Sequence, residues 1–298
     1  MKRPSLPTRL AVGFLLVAVL PLIGLAWFYL HTFEQALTTT VLRNTASITD
    51  KKFDQIEGFI NERLADVQDL AGQDLVQEAL RALAADYRRG GLAATWQEAR
   101  RLRHRLASFD DGGIYHDILL IDEEGNVIFS LRGEPDLGTN LRLGPYRETG
   151  LAAGFQQAMT FLLSDLSRFE PYAPSRNEVA AFAVAPILDA NRPIGALALQ
   201  VNLATLMPVV ADRTGLGTTG ETVLARRDPD GIRYTIPLAR LPGAPFTQVV
   251  PIEQSAKPMV NALMGRKGHG LTRDYVGVAV AASLTYLPAL GWGMVVKM

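Results

Sequence analysis

Tyr115-His-Asp-Ile-Leu-Leu-Ile-Asp-Glu-Glu-Gly-Asn-Val-Ile128 is the stretch where the hydrophobic period of this 298-residue chain changes. Ile114 to Ile121 and Asn126 to Leu131 are short apolar runs joined by Asp122-Glu-Glu-Gly125, the pattern of an antiparallel hairpin. Upstream of it the period is helical; downstream it is mostly that of strands. The chain is therefore α+β, with its helices concentrated at the N-terminal end.

Upstream, Phe33, Leu37, Val41, Ile48, Ile56, Ile60, Leu64, Val67 and Leu70 recur at helical intervals with charged residues between them, and no proline interrupts the run. So long a stripe exceeds what a small domain covers. Its first turns are expected to rise as a stalk and pair with a second copy into a homodimer. A helix packed wholly on its own domain is the alternative. Two shorter helices are predicted at Asp74 to Arg88 and Thr95 to Phe109, separated by Gly90 and Gly91.

Further upstream, Leu10 to Leu30 contains no Asp, Glu, Lys or Arg. As a helix it covers roughly 30 Å, the thickness of a bilayer core. Lys2, Arg3 and Arg9 precede it, and no Lys or Arg follows until Arg43, so the positive-inside bias places residues 1–9 in the cytoplasm and the rest outside. Trp27-Phe-Tyr29 suits the far interface. The length and this aromatic end favour an uncleaved inner-membrane anchor over a secretory signal, with the bulk of the chain periplasmic or extracellular.

Downstream, Arg147 to Met159 reads as a helix and Thr160 to Leu163 as a strand. Glu178 to Leu188 and Pro193 to Val201 form a second predicted hairpin, with Pro186 expected at a strand end or bulge. Leu203 to Arg213 suggests a connecting helix, capped by Thr205, with Pro208 in its first turn. A second strand-rich unit follows, from Glu221 to Arg226, Phe246 to Ile252, His269 to Asp274, Val276 to Tyr286 and Trp292 to Lys297, with a helix near Ser255 to Met264. Both halves share one plan without a visible sequence repeat.

Basic and acidic residues number 30 each, which leaves no basic footprint for nucleic acid. Cysteine is absent, so disulfides and thiolate metal sites are excluded. Gly215-Leu-Gly217-Thr-Thr-Gly220 matches the dinucleotide fingerprint literally, but a helix precedes it and a strand follows, the reverse of what phosphate binding needs. It reads as a turn. His31, His104, His116 and His269 lack metal-ligand spacing. His116 beside Asp117 is the one pair of interest. No catalytic residue, metal ligand or cofactor site is predicted.

The most unusual segment is Ser164-Asp-Leu-Ser-Arg-Phe-Glu-Pro-Tyr-Ala-Pro-Ser175, where two prolines stiffen a polar loop. A stiff loop loses little entropy on binding and can aim side chains at a small polar ligand. Candidate ligand-binding residues are Asp165, Arg168, Tyr172 and Ser175, joined by Tyr115 and Asp117 from the first hairpin. The alternative is structural, with Asp165 capping a turn and Tyr172 packing on the sheet.

With Ala183-Val-Ala-Pro186, Gly195-Ala-Leu-Ala-Leu-Gln-Val201, Thr214-Gly-Leu-Gly-Thr-Thr-Gly-Glu-Thr-Val-Leu224 and Gly291-Trp-Gly-Met-Val-Val296, these segments resemble the double Cache (dCache) sensor domains of bacterial transmembrane receptors. The resemblance implies two PAS-like lobes stacked along one long helix, the membrane-distal lobe binding a small molecule. The expected division is 1–9 cytoplasmic, 10–30 transmembrane, 31–109 stalk and short helices, 110–201 distal lobe, 202–214 connecting helix and 215–298 proximal lobe. The Arg-x-Trp-Tyr pattern of the amino-acid-binding branch is missing, since Trp96 stands alone and Arg147-Glu-Thr lacks the Trp. A small organic acid or another polar metabolite is therefore expected. Receptors of this type continue past the last motif into a second membrane helix and an output module, so the chain is expected to be the sensory part of a longer protein, with a stand-alone anchored sensor as the alternative. The output implied is a histidine kinase, with a diguanylate cyclase or chemoreceptor as alternatives. Readings of a different class are an anchored hydrolase using Asp165, Asp117 and His116, and a structural dimerisation module.

Overall fold

The computed structural model describes residues 6–106, 113–241 and 243–298, and side chains of the first helix from residue 13 onward. Lys2 and Arg3, the Arg9 side chain and the expected boundary between Phe109 and Asp110 lie outside the described residues.

One helix, α1 (Leu6–Ala71), runs unbroken for 66 residues, about 100 Å at 1.5 Å per residue. Pro21 lies inside it without ending it. Within α1 an 18-residue window reaches a mean hydropathy of 2.2 with none of it buried, so the helix is long and apolar enough to cross a membrane. Full burial begins only at Thr45 and then recurs at Thr49, Lys52, Ile56, Ile60, Arg63, Val67 and Leu70. These steps of three and four keep one face turned to both lobes. Each apolar side chain buried this way contributes roughly 1.5–3 kcal/mol.

Helices α2 (Asp74–Gly90) and α3 (Trp96–Leu106) follow. The first lobe carries β1 (Asp117–Asp122), β2 (Val127–Ser130), α4 (Gly150–Phe161), β3 (Asp165–Leu166), β4 (Glu170–Tyr172), β5 (Glu178–Asp189) and β6 (Arg192–Asn202). Its antiparallel sheet has the order β2-β1-β6-β5-β3, with β4 also on β5. The second lobe carries β7 (Glu221–Asp228), β8 (Gly231–Tyr234), β9 (Val249–Val250), α6 (Lys257–Leu263), β10 (Gly268–Arg273), β11 (Ala279–Leu287) and β12 (Trp292–Lys297). Its order is β10-β11-β12-β7-β8-β9. In both lobes the first hairpin pairs with the last strand, and that strand closes a second hairpin. The two lobes are thus structural duplicates.

Side-chain alternation splits the first sheet. Leu120, Ala183, Leu197 and Leu199 pack toward α1 and α2, whereas Leu119, Phe182, Val184 and Ala198 face α4. In the first hairpin Gly125 holds φ +92°, and a Cβ there would come within 3.1 Å of the Arg142 side chain and 3.2 Å of Phe155.

Several expectations are corrected. The strand expected at Thr160 to Leu163 is the end of α4; Leu162 stops the helix in a left-handed conformation at φ 56°. Phe161, Leu162 and Leu163 are exposed there, so an apolar run without partners had mimicked a strand. Pro186 sits inside β5 opposite Ala196, not at an end but one residue before the bulge between Ile187 and Leu188, and β3 reaches only to Val184, which leaves the proline nitrogen facing an unpaired edge. The connecting helix is a 3₁₀ turn, Leu203–Thr205, followed by α5 (Met207–Ala211). Thr205 does not cap α5; its hydroxyl donates to the Asn202 carbonyl at 2.6 Å. β4 and β8 were not expected, and β8 follows the tight turn Asp228-Pro-Asp-Gly231.

Candidate ligand site in the first lobe

On the α4-facing side of the first sheet, Asp117 on β1, Gln200 on β6 and Phe182 on β5 lie side by side in register. The apolar rows of that face end here and polar residues take over. Asp117 accepts from the Ser130 hydroxyl at 2.5 Å, from the Ile118 amide at 2.7 Å and from the Arg132 amide at 3.0 Å. The loop after β2 crosses above this end of the sheet and supplies Glu134 and Asp136. Asp136 accepts the Tyr172 hydroxyl at 2.7 Å; Glu134 accepts the Ser175 hydroxyl at 2.5 Å and meets His116 Nε2 at 2.9 Å. Gln200 Nε2 donates to Ser175 Oγ at 2.8 Å, and Asn202 closes the rim against Glu178 at 2.8 Å.

Electrostatically this end of the lobe is acidic. Burial pushes Asp117 up to about 6, against the pull of its three donors. Burial also raises Asp136, and with the neighbouring Asp136 charge it raises the Tyr172 hydroxyl, which stays protonated. In this network two buried acceptors, Asp136 Oδ1 and Gln200 Oε1, have no donor among the described residues. Buried acceptors are normally paired, so both are suited to accept from a bound donor. Among the described residues no group of three His, Asp or Glu has metal-binding geometry.

The six sequence candidates divide. Tyr172, Ser175 and Asp117 meet in this network. Asp165 and Arg168 do not: both are exposed and line an open groove beside α4, and among the described residues the Asp165 carboxylate accepts only its neighbour's amide, from Leu166 at 2.8 Å. Tyr115 faces the other way, its hydroxyl on Asp66 of α1 and its ring 5.4 Å from the Arg63 guanidinium. The hydrolase constellation is not assembled. His116 leads into β1 while Asp165 is on β3, three strand spacings or about 14 Å across the sheet. Sequence reading missed Glu134, Asp136 and Gln200. The first two lie in a loop without periodicity; Gln200 was legible as the one polar residue inside Ala196 to Val201.

The arrangement of two duplicated lobes on one spine is matched at the level of sequence. The family profile of the Cache domain (dCache_1) matches residues 33–298. The chain belongs to the Cache family. Cache domains are ligand-binding sensor modules without catalytic activity of their own. No curated protein sequence matches this Cache domain. Among solved structures, it is similar to the sensor domain of the V. cholerae histidine kinase DctB, at a TM-score of 0.58 and 14% identity over 87% of this chain and 97% of that one. It also resembles the ligand-binding domain of the Campylobacter jejuni chemoreceptor Tlp3, solved with 4-methylisoleucine (TM-score 0.56, 12% identity, 88% and 92% covered). A third is that of the Pseudomonas fluorescens chemoreceptor CtaA, solved with L-serine (0.52, 13%, 89% and 98%). At these identities the likeness is one of fold.

Proposed function

We propose that this Cache domain is the sensory region of a membrane-bound bacterial receptor, a histidine kinase first and a chemoreceptor as the alternative, which binds a small polar metabolite in its first lobe. The observation that carries the reading is the pair of donorless buried acceptors, Asp136 Oδ1 and Gln200 Oε1, beside Tyr172. With Asp117, Glu134 and Asp136 around them, the complementary ligand brings hydrogen-bond donors, an ammonium group above all, and not a free carboxylate alone. This refines the expectation of an organic acid. The solved neighbours include receptors holding serine, leucine and asparagine.

In this reading α1 anchors the receptor in the inner membrane with the N-terminus cytoplasmic and both lobes outside. The exposed apolar residues of its first half, including Phe33 and Leu37, support pairing with a second copy. Ligand binding shifts the first lobe against the spine, and a full switch from 1:99 to 99:1 requires roughly 5.5 kcal/mol of differential affinity.

The test is thermal unfolding of the full chain in lipid nanodiscs against amines, amino acids and carboxylic acids. A ligand at 100 times its Kd adds about 2.7 kcal/mol. Amine-bearing compounds are expected to raise Tm in the parent and in Asp165→Ala, but not in Gln200→Ala. Equal stabilisation by simple carboxylic acids, or a shift that survives Gln200→Ala, overturns the reading.

A further inference from the structure

The chain is neutral as a whole, yet six of its 30 Lys and Arg residues fall within residues 88–105, all of them Arg, against one acid, Glu98. Four of the six stand on α3, whose inner face is fixed to the first lobe. Leu102 and Leu106 are buried in the core, and Arg103 donates to the carbonyls of Ser130 and Leu131 at the end of β2, each at 3.0 Å. At four-residue spacing the outer face carries two adjacent rows, Trp96 with Arg100 and His104, and Gln97 with Arg101 and Arg105, all exposed. Trp96 is 63% exposed, and the Arg100 guanidinium lies 5.6 Å from its ring centre. Among the described residues Arg100 meets no carboxylate, and Arg101 reaches only Glu98, one turn away on the same helix, at 3.5 Å.

The setting of this face narrows its partner. The hairpin that holds Arg103 meets α1 at Asp66 through Tyr115, and Asp66 lies 36 residues after Leu30, about 54 Å at 1.5 Å per residue. With α1 read as the anchor, the bilayer that holds the chain is out of reach of α3. The face is about 16 Å long and about 10 Å wide, far short of the ~800 Å² per partner of a standard protein interface. A thin linear polyanion needs no such area, because repeated charge contacts along its length supply the affinity. Arginine forks match planar carboxylates in pairs of hydrogen bonds. The exposed indole adds a flat apolar surface for a sugar ring to stack on, which a polyphosphate chain does not use.

We propose that the outer face of α3 is a docking surface for a linear acidic polysaccharide, its carboxylates on Arg100 and Arg101 and one sugar ring on Trp96. The first-lobe site, on the α4 side of the sheet, takes no part in it. Because Arg103 ties α3 to β2, and β2 pairs with the strand that carries Asp117, a polymer held here bears on the lobe that senses the small ligand.

The test is calorimetric titration of the full chain in phosphatidylcholine nanodiscs with polygalacturonate, which carries one carboxylate on each sugar, its methyl ester as the uncharged counterpart, and linear polyphosphate. Polygalacturonate is expected to bind saturably, and its affinity to fall about tenfold or more as salt rises from about 50 to about 200 mM, the counterion-release signature of a few cation contacts. The ester is expected not to bind. Arg100→Glu with Arg101→Glu is expected to weaken polygalacturonate about tenfold or more, whereas Lys257→Glu with Arg266→Glu on the second lobe leaves it unchanged. Trp96→Ala is expected to weaken polygalacturonate and not polyphosphate. No saturable binding at low salt, equal binding of the ester, or indifference to the reversal at Arg100 and Arg101 overturns the proposal. Polyphosphate binding as tightly as polygalacturonate, with Trp96→Ala without effect on either, assigns the face to phosphate and overturns the polysaccharide. Gln200→Ala, which abolishes the first-lobe response, is expected to bind polygalacturonate like the parent; loss there would place the polymer in the first lobe and overturn the assignment to α3.

Discussion

The ring of Phe169, three residues before Tyr172, lies 5.7 Å from that of Trp292 on β12, the last strand of the second lobe. The Phe169 carbonyl also accepts from Arg226 Nη1 on β7 at 3.1 Å. The segment that delivers Tyr172 and Ser175 to the first-lobe site is thereby fastened to the second lobe. A movement of that segment has a direct mechanical route to the strand where the chain ends.

Phe169→Ala removes this fastening. Truncating a buried Phe costs about 3–5 kcal/mol. The expected signature in calorimetry is a split of one cooperative transition into two, one for each lobe. A single transition merely shifted down in temperature would mean that α1 alone couples the lobes.

Tyr172 and Asp165, neighbours in sequence, are expected to differ sharply. Tyr172→Phe leaves Asp136 without its hydroxyl donor and costs about 1–3 kcal/mol, with urea unfolding as the measure. Asp165→Ala, at an exposed position, is expected to stay within about 0.5 kcal/mol of the parent. Comparable losses in both would place Asp165 in the core network after all.

Lys52 on α1 donates to the carbonyls of Val209 at 2.5 Å and Asp212 at 2.8 Å, at the C-terminal end of α5. Burial lowers its pKa, and the Asp212 charge opposes that shift. Lys52→Met keeps the apolar stem but leaves those carbonyls unpaired, at a cost of about 1–3 kcal/mol. Hydrogen exchange is expected to accelerate in residues 203–214 before it does in either sheet.

Asp117 sets a pH dependence of defined sign. Its pKa is about 6 when folded, against an ordinary value near 3.9 when unfolded, so the folded chain holds the proton more tightly. Stability therefore falls as pH rises from about 4 to about 6, by up to about 3 kcal/mol, and levels off above. Asp136, raised in the same direction by burial, adds to the slope. In Asp117→Asn the slope between pH 4.5 and 6.5 (approximate bounds of that window) is expected to flatten in urea titrations, which a surface carboxylate would not produce.

The sequence by itself determined the long helix, both hairpins and the order of the strand-rich halves. Those features depend on periodicity and turn residues within some ten or twenty neighbours. Ile56, Ile60, Val67 and Leu70 announce a helix face wherever it packs, and Asp122-Glu-Glu-Gly125 announces a reversal whatever lies above it. Composition also showed that these 298 residues hold no cysteine for thiolate chemistry.

Only the tertiary structure decided which polar residues meet. Tyr172 and Asp165 share one loop, yet β3 and β4 pair separately with β5, and Tyr172 turns into the interior while Asp165 stays on the rim. Glu134 and Asp136 carry no local signal. They reach Tyr172 and Ser175 because the loop after β2 crosses the sheet end, joining residues 36 and 41 positions apart. The site is built by strand register and loop crossing, and both are settled by burying the apolar rows of the sheet, an energy that belongs to the whole lobe and to no single segment.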